Sequence, residues 1–377
     1  MSKLADATRA IHAGLPAPSQ GEPLLPGPVL AAPFHAARDP SEVPFVYGRD
    51  GNPTWSRYEA AIGELEDGHA CVFASGMGAY TTLFLGLLRA GDVLVLPSDG
   101  YFHVRELASE LLRPLGVELR PVPTDTSAVV DALAGARLVV VETPSNPGLD
   151  VCDVAAVAEA ASAAGALLAV DNSLATPFGQ RPLGLGADFS LASATKGVSG
   201  HNDLLLGYIA TRDPDKAEEV RSWRLLTGAI AGPLEVWLAH RSLATLELRH
   251  ARQCDNAQAL AELLADRPEI EQVRYPGLQA DPAHRLAFPQ MQRFGSVVSF
   301  TLATRERAER FLASLRLVAS TTSFGGMHST AERRGRWGAD DVEEGFIRFS
   351  VGCEDAVDLL TDVTHALEHC GSSTVAA

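Results

Sequence analysis

Short apolar runs alternate with helical segments through the first half of the chain, and this alternation limits the fold more than any other feature. The runs GDVLVLP (91–97), ARLVVVE (136–142), GALLAVDN (165–172) and DFSLAS (188–193) are largely apolar, as expected for strands buried on both faces. Helical segments lie between several of them, such as DVAAVAEAASAA at 153–164. Together they predict an α/β fold around a mostly parallel sheet.

The two ends of the chain differ from this central pattern. Residues 1–45 are rich in proline, which fixes φ and donates no backbone hydrogen bond, so they predict an extended, irregular N-terminal arm. Residues 46–232 hold the α/β pattern. Residues 233–377 begin with one long helical stretch, to about Leu264, and continue with two strand–helix pairs, which predicts a smaller α+β C-terminal domain.

Charge and cysteine content exclude several classes of protein. The formal net charge is −16, which argues against a nucleic-acid-binding surface and against attraction to anionic membranes. No stretch approaches the ~18 apolar residues of a membrane span, and no secretory signal pattern is visible. The five cysteines are far apart and never spaced as CxxC, so neither disulfides nor a metal site is expected. We predict a soluble, cytoplasmic protein.

Lysine is scarce, and its few positions narrow the search for a reactive amine. The 31 basic residues include only Lys3, Lys196 and Lys216. Lys196 follows a predicted strand and stands near the hydroxyl groups of Ser193 and Thr195, which suits a cofactor that needs an amine for its aldehyde and hydroxyls for its phosphate. A solvated surface lysine is the alternative. Lys3 is terminal, and Lys216 lies in DPDKAEEV, a charged run typical of a solvated face.

Two further strand ends carry groups that could hold such a cofactor. Asp171 ends a buried run, where a carboxylate is costly without a cation or a hydrogen-bond donor. A pyridinium N–H would supply one, although an ordinary capping or solvated aspartate is the alternative. Ser75, Gly76 and Met77 stand where a strand gives way to a helix. Backbone N–H groups at a helix start attract phosphate, but a Ser-Gly pair before a helix is common.

Three more residues could contact a ligand at the same edge of the sheet, where open α/β sheets bind their ligands. Asn146, in the loop ETPSNPGLD, could bind a ligand hydroxyl or belong to a simple proline turn. Tyr101 follows a strand and could stack on a flat ring or pack in the core. Arg348 lies within the apolar strand FIRFSVG, where it could bind a carboxylate through two hydrogen bonds or form a structural ion pair.

Several motifs that occur in order carry a family resemblance. They are YGRDGNPT (47–54), ASGM (74–77), ETPSNP (142–147), VDNSLATP (170–177), LGADFSLASATKGVSGH (185–201), SFGG (323–326) and RFSVGCE (348–354). Over about residues 8–365 the chain resembles the pyridoxal-phosphate enzymes of cysteine and methionine metabolism, the group of cystathionine γ-lyase, cystathionine γ-synthase and methionine γ-lyase. The resemblance implies an aspartate-aminotransferase-like fold (fold type I) and pyridoxal 5'-phosphate as cofactor.

The resemblance also implies roles around the cofactor. Lys196 would form the Schiff base and move protons, and Tyr101 would stack on the ring and act as a second acid–base group. Asp171 would pair with the ring nitrogen, and Asn146 would contact the ring hydroxyl. The residues that would hold the phosphate are Ser75, Gly76, Met77, Ser193 and Thr195.

The substrate and a second subunit complete the implied site. Arg348, helped by the region of Ser323, would bind the substrate α-carboxylate. Tyr47 and Arg49 would reach the phosphate in a neighbouring subunit. The active unit would then be at least a dimer, with a homotetramer as the prediction.

The implied reaction is γ-elimination on a sulfur amino acid, and cystathionine is the leading candidate, giving cysteine, 2-oxobutanoate and ammonia. The alternatives are γ-replacement of the cystathionine γ-synthase type, a methionine γ-lyase, and a non-catalytic binding protein. Departures from the family keep the choice open. Phe102, His103 and Val104 follow Tyr101 where the family usually has Gly-Gly-Thr, and His328 stands where many members have glutamate. No cysteine follows Tyr101, which disfavours the methionine γ-lyase.

Overall fold

The computed structural model describes residues 4–37 and 39–370, so Lys3 and the small-residue tail after Cys370 lie outside the described residues. None of the helices in this described part is long and apolar enough to cross a membrane. The helices are α1 (Asp6–His12), α2 (Pro53–Glu66), α3 (Gly76–Leu87), α4 (Phe102–Leu107), α5 (Thr126–Asp131), α6 (Val154–Ala164), α7 (Thr176–Gly179), α8 (Pro214–Thr227), α9 (Pro233–Leu243), α10 (Leu246–Ala265), α11 (His284–Gln290), α12 (Arg305–Ser314) and α13 (Ala356–Cys370).

The strands form two sheets, joined by the helices above and by short 3₁₀-helices at Pro40–Glu42, Pro182–Leu185 and Arg334–Trp337. A π-helical turn, Ala108–Leu112, extends α4. The strands are β1 (His69–Phe73), β2 (Val93–Pro97), β3 (Glu118–Val122), β4 (Leu138–Glu142), β5 (Leu167–Asp171), β6 (Phe189–Ala192), β7 (Gly207–Thr211), β8 (Ile270–Arg274), β9 (Val297–Leu302), β10 (Ala319–Ser320), β11 (Thr330–Arg333) and β12 (Phe346–Ser350).

The larger sheet has seven strands in the order β1-β7-β6-β5-β4-β2-β3. Its strands run parallel except for β7, which pairs antiparallel with both β1 and β6. The predicted α/β fold with a mostly parallel sheet is therefore confirmed. Because β1, β2, β4, β5 and β6 share one direction, their carboxyl ends meet at one edge, where such sheets bind ligands.

Helices cover both faces of this sheet, which explains why its strands are apolar throughout. Along β4, Leu138 and Val140 pack in one hydrophobic cluster with side chains of α3, while Val139 and Val141 pack in another with side chains of α6. Each such buried side chain contributes roughly 1.5–3 kcal/mol. A strand with both faces buried needs apolar residues at every position.

The smaller sheet has the order β10-β11-β12-β9-β8 and is antiparallel except for the β10–β11 pair. Apolar residues of α10, α12 and α13 pack against it, and the rings of Phe300 and Phe311 meet edge to face at 5.5 Å. A second, smaller α+β unit was predicted for this part of the chain. The domain boundaries near residues 45 and 232 stay predictions.

The sequence pattern predicted an extended, irregular N-terminal arm, but this arm contains a helix. Asp6–His12 form α1, in a stretch that lacks the prolines found from residue 16 onward. Arg9 of this helix is buried and pairs with Asp6 at 3.2 Å and with Asp67 at 2.9 Å. The pair with Asp67, the C-cap residue of α2, fixes the helix against the C-terminal end of α2.

The single long helix predicted from Pro233 is two helices, α9 and α10. In an unbroken helix the Ser242 carbonyl would accept the Leu246 N–H. It accepts instead the Thr245 N–H at 3.2 Å and a guanidinium N–H of Arg249 at 3.0 Å. The competing donors explain the break between Leu243 and Leu246.

Lys216 lies in a largely exposed run, as predicted, but its own side chain is partly buried and forms ion pairs. Lys216 lies in α8 and pairs with Asp188 at 3.0 Å and with Asp213 at 3.4 Å. Asp188 lies in the loop before β6, so the lysine ties α8 to the sheet. The sequence pattern missed both α8 and the short antiparallel strand β7.

Candidate active site

The carboxyl ends of five parallel strands open into one cavity of about 400 Å³. Its opposite wall comes from the smaller sheet, through the segment between β10 and β11, the 3₁₀-helix after β11, and β12. The predicted site residues that line it are Ser75, Gly76, Met77, Tyr101, Asn146, Asp171, Ser193, Thr195, Lys196, Ser323 and Arg348.

Tyr47 and Arg49 are the predicted site residues that do not line this cavity. Both side chains are exposed, and the Arg49 guanidinium lies 5.4 Å from the centre of the Tyr47 ring. The cavity of a single chain is therefore built without them.

Lys196 lies in the turn that follows β6, and its amine points across the cavity. Nζ donates a hydrogen bond to Ser323 Oγ at 2.7 Å and lies 5.2 Å from the centre of the Phe324 ring. Burial, together with the nearby Arg348 cation, lowers the pKa of Lys196 to about 8. A substantial fraction of the amine is therefore neutral near that pH, as a nucleophile or a base requires.

Two carboxylates face each other at the ends of neighbouring strands and form what we call the negative end of the cavity. Glu142 of β4 is paired in register with Asp171 of β5. Asp171 Oδ2 accepts the Tyr80 hydroxyl at 2.8 Å, and Oδ1 accepts the Ser173 N–H at 2.8 Å. Burial raises the pKa of both carboxyl groups. Neither pairs with a Lys or Arg of the described residues.

The opposite wall holds a cluster of the other sign, the positive end, made of Arg334, Arg336, Arg348, Glu332 and Asp340. Glu332 accepts hydrogen bonds from all three guanidinium groups. Asp340 pairs with Arg334. Burial opposes ionisation of Glu332, but the arginines lower its pKa below the usual value. Three cations against two carboxylates leave one surplus positive charge.

Arg348 is the member of the positive end that offers a free donor. Its Nη1 donates to Asn146 Oδ1 at 2.6 Å and its Nη2 donates to the Ser323 carbonyl at 3.0 Å. Its Nε is buried and has no partner among the described residues. A buried cationic donor without a partner is costly, and an anionic ligand would satisfy it.

The start of α3 forms the third wall. Ser75 caps this helix by accepting the Gly78 N–H at 3.0 Å, while the N–H groups of Gly76 and Met77 have no acceptor within the helix. A Cβ added at Gly76 would lie 2.9 Å from Ser193 Cβ, so only glycine lets the two segments approach this closely. An anion fits this helix start.

Thr195 is held differently from the other predicted phosphate ligands. Its hydroxyl donates to the Leu206 carbonyl at 3.1 Å and accepts the Leu206 N–H at 2.9 Å. The side chain therefore secures the loop that carries Lys196, and its role as a phosphate ligand stays a prediction.

Tyr101 precedes α4 at the cavity mouth, where 36% of it is exposed. Its N–H donates to Glu142 Oε2 at 2.7 Å, and partial burial raises the pKa of its phenol. Arg105 holds the same segment by donating to the carbonyls of Ser98, Gly100 and Ala339, each at 2.7 Å. The last of these contacts joins the segment to the smaller sheet's side of the cavity.

Comparison with known proteins decides what this cavity serves. A family model described as "Cys/Met metabolism PLP-dependent enzyme" matches residues 8–368. The chain belongs to this family. Pyridoxal phosphate is therefore its cofactor, and the predicted resemblance, fold type and cofactor are confirmed.

Three relatives illustrate the range of named activities. The chain is 59% identical over 368 residues to a Streptomyces coelicolor protein named "Putative cystathionine gamma-lyase", covering 96% of this chain and 93% of that one. It is 38% identical to the cystathionine gamma-synthase of Mycobacterium tuberculosis, covering 96% of each. The crystal structure of a methionine gamma lyase from Micromonospora echinospora has a TM-score of 0.91 at 38% identity, covering 97% of this chain and all of that one.

The cavity fits pyridoxal phosphate by its own chemistry. The negative end lacks a cation that a protonated ring nitrogen would provide, and the start of α3 suits a phosphate. The amine of Lys196 lies between them and the positive end. The candidates to hold the group are the predicted residues that line the cavity. Two further residues stand beside Asp171 and were missed by the sequence reasoning: Tyr80, which donates a hydrogen bond to it, and Glu142, its neighbour on β4.

The residues that the sequence analysis missed differ in how strong a sequence signal they carry. Glu142 ends an apolar strand just as Asp171 does, so the same signal could have found it. Tyr80 follows Gly76 by one helical turn, a spacing that brings both to one side of α3. Glu332 could be found only from the pairing of β11 with β12. His328, singled out as a departure, is exposed and outside the cavity, whereas His103 lines it.

Proposed function

We propose that the protein is a carbon–sulfur lyase that performs γ-elimination on cystathionine and releases cysteine, 2-oxobutanoate and ammonia with the uptake of one water. The observation that carries the proposal is the Lys196 amine, which is partly buried, has its pKa lowered to about 8, and lines one cavity with Arg348. The 59% identical relative supports the choice of lyase.

Substrate orientation comes from the positive end. The α-carboxylate of an amino acid would bind Arg348, whose Nε is free, and the surplus positive charge would hold it there. Asn146 and the Ser323 carbonyl fix the guanidinium from two other sides. The substrate α-carbon is thereby placed beside Lys196, which hydrogen-bonds Ser323.

Proton movement falls to the chain's own groups. Pyridoxal phosphate, when bound, supplies an electron sink that makes the Cα–H of the substrate acidic. Lys196 Nζ is placed to take that proton and, with its pKa lowered toward neutrality, to return it elsewhere on the substrate. Tyr101 at the cavity mouth is the second acid–base group, suited to protonate the departing thiolate.

Asp171 would keep the cofactor ring protonated, the form in which the ring accepts electrons. A carboxylate beside the ring nitrogen favours the protonated ring, and burial strengthens that interaction because the local dielectric constant is low. Ser75, Gly76, Met77 and Ser193 would hold the phosphate, which fixes the ring against Tyr101.

The reaction is tested by measuring 2-oxobutanoate release from cystathionine alone. We expect release by the native protein and by Lys216→Ala, the matched control, and none by Lys196→Ala. Product formation from an acylated homoserine and cysteine, without release from cystathionine, would show a γ-synthase instead. Faster keto-acid release from methionine would show a methionine γ-lyase, and a protein inactive on all three would support the non-catalytic alternative.

We also propose that the active sites are shared between subunits of a homotetramer. Tyr47 and Arg49 are exposed and lie outside the cavity of their own chain, as expected if they reach another subunit's phosphate. The N-terminal arm that precedes them also exposes Leu24 and Leu30. A cytoplasmic location stays a prediction.

Mixing two inactive variants tests the shared site. Lys196→Ala and Arg49→Ala subunits are each expected to lose activity, and hybrids of the two contain a site with both native residues. Activity that returns on mixing supports sharing, and sedimentation gives the subunit number. If the mixture stays as inactive as its components although hybrids form, each chain completes its own site.

A further inference from the structure

Tyr80 is a buried titratable residue for which the proposed mechanism has no use. It lies on α3, one helical turn beyond Gly76, and its ring packs against Phe84 at 5.6 Å between centres. Its hydroxyl donates to Asp171 Oδ2 at 2.8 Å. The same helix therefore meets both ends of the cofactor site, the phosphate cradle at its first turn and the Asp171 carboxylate through Tyr80.

Asp171 depends on hydrogen-bond donors because its surroundings disfavour its charge. It is buried, it is paired in register with Glu142, and no cation of the described residues contacts it. The donors that reach its two oxygens include the Ser173 N–H and the Tyr80 hydroxyl, and hydrogen bonds from both Ser173 and Tyr80 act to lower its pKa. Hydrogen bonds to the charged form of a carboxylate favour that form.

Tyr80 is itself fixed in the donating form. Burial, Asp171 and Glu142 all raise the pKa of its phenol well above the usual value. It therefore stays protonated, and Asp171 is held as the acceptor. Burial and the neighbouring Asp171 raise the pKa of Glu142 as well.

We propose that Tyr80 is a positioning residue that keeps the Asp171 carboxylate ionised and directed at the ring nitrogen of pyridoxal phosphate. This inference rests on the proposed role of Asp171. Tyr80 acts only through Asp171 and touches neither the substrate nor the reacting atoms.

The molecule contains a matched control for this pair. Tyr208 of β7 is also fully buried and donates to a buried carboxylate, Glu66 Oε1, at 2.6 Å. Neither Tyr208 nor Glu66 lines the cavity. Tyr208→Phe removes a hydrogen bond of the same kind as Tyr80→Phe does, at a place without contact to the cofactor.

The test is the affinity of cofactor-stripped protein for pyridoxal phosphate, measured by titration, with the visible circular dichroism of the reloaded protein as the second readout. Tyr80→Phe is expected to weaken the affinity by about tenfold, a loss of ~1.4 kcal/mol, and to change the dichroism. Tyr208→Phe should leave both within about twofold of the native values while lowering the thermal stability.

A double-mutant cycle with Asp171→Asn tests the role of Tyr80 separately from the role of Asp171. If Tyr80 acts through Asp171, the double variant binds cofactor no more weakly than Asp171→Asn alone. Additive losses, or a Tyr80→Phe variant with native affinity and dichroism, overturn the role of Tyr80 and leave Asp171 intact. Native affinity in Asp171→Asn overturns the proposed role of Asp171, and this inference with it.

Replacing Tyr80 with 3-fluorotyrosine keeps the test decisive if Tyr80→Phe does not fold. Fluorine makes the phenol a stronger donor without removing the ring. Tighter cofactor binding then supports the proposal, and unchanged or weaker binding contradicts it.

Discussion

The two ends of the cavity treat buried charge in opposite ways. At the negative end, Glu142 and Asp171 lie side by side with no arginine or lysine of the described residues against them. At the positive end, Glu332 alone accepts hydrogen bonds from three arginines. Burial raises the pKa of both carboxyl groups at the first end, whereas the arginines lower the pKa of Glu332 at the second.

The difference indicates the charge of the ligand group that each end would bind. Uncompensated buried carboxylates are unfavourable for the protein alone, so the negative end suits a cationic group that arrives with the cofactor. The surplus cation of the positive end suits the carboxylate that arrives with the substrate. The buried charges at both ends of the cavity are compensated only when cofactor and substrate are both bound.

Removing the charge at the negative end should have the largest effect. Asp171→Asn keeps the shape of the side chain but no longer favours a protonated ring, so we expect kcat/KM to fall by about 10³-fold. The stripped protein should be no less stable than the native one, because a buried carboxylate without a cation has been removed. Steady-state kinetics and thermal unfolding check both points.

Glu66→Gln is the control for that loss. Glu66 is an equally buried carboxyl group whose pKa burial raises to about 7, and it lies outside the cavity. Its folded pKa exceeds the ordinary 4.5, so stability falls as pH rises from 4.5 to about 7, and Glu66→Gln should remove roughly 3 kcal/mol of that dependence. A native kcat/KM in Asp171→Asn would contradict the assignment of the negative end.

Breaking the positive end should affect the substrate and spare the cofactor. Arg348→Met removes the free donor and the surplus charge, so we expect KM to rise by about 100-fold, with the visible absorbance of the bound cofactor unchanged. Arg336→Met removes another arginine from Glu332, but one that is more exposed and does not line the cavity. It should raise KM by less than about threefold. Loss of the absorbance in Arg348→Met would place Arg348 beside the cofactor instead.

Arg348 should also affect the pKa of the Lys196 amine, and this effect should be smaller. Burial and Arg348 lower the pKa of Lys196 to about 8, so its acetylation in the stripped protein should be half-maximal near pH 8. In Arg348→Met the midpoint should move to higher pH, because a repelling cation is gone, yet stay below the ordinary 10.5 because burial remains. An unchanged midpoint would show that burial acts alone.

Lys216 serves as the internal reference in the same experiment. Burial acts against its ionisation, but hydrogen bonds and ion pairs with Asp188 and Asp213 raise its pKa. Its acetylation should therefore require a higher pH than that of Lys196 in every variant. Peptide mass spectrometry distinguishes the two lysines.

How far the sequence could predict this cavity also differs between its ends. Asp171 was visible because a carboxylate ends an apolar strand, and parallel strands bring their carboxyl ends together. Arg348 was visible as a cation inside an apolar strand. Its partner Glu332 was not, because that contact depends on how β11, an unpredicted strand, pairs with β12. Local patterns predict the ends of strands, while contacts between distant strands need the fold.

The smallest predicted effect concerns the contact that joins the two sides of the cavity. Arg105 donates to Ser98 and Gly100, before Tyr101, and to Ala339, after the 3₁₀-helix of the positive end. In Arg105→Gln the two segments are no longer held at a fixed separation. Because only positioning is lost, we expect KM to rise about fivefold with little change in kcat.

Arg120→Gln is the matched control for this contact. Arg120 also donates to two backbone carbonyls, those of Ala132 and Ala134, but it does not line the cavity or join the two sides. Its replacement should cost similar thermal stability and leave KM unchanged. If both variants raise KM equally, the effect of Arg105 is a general loss of stability, and the two ends of the cavity are positioned independently of each other.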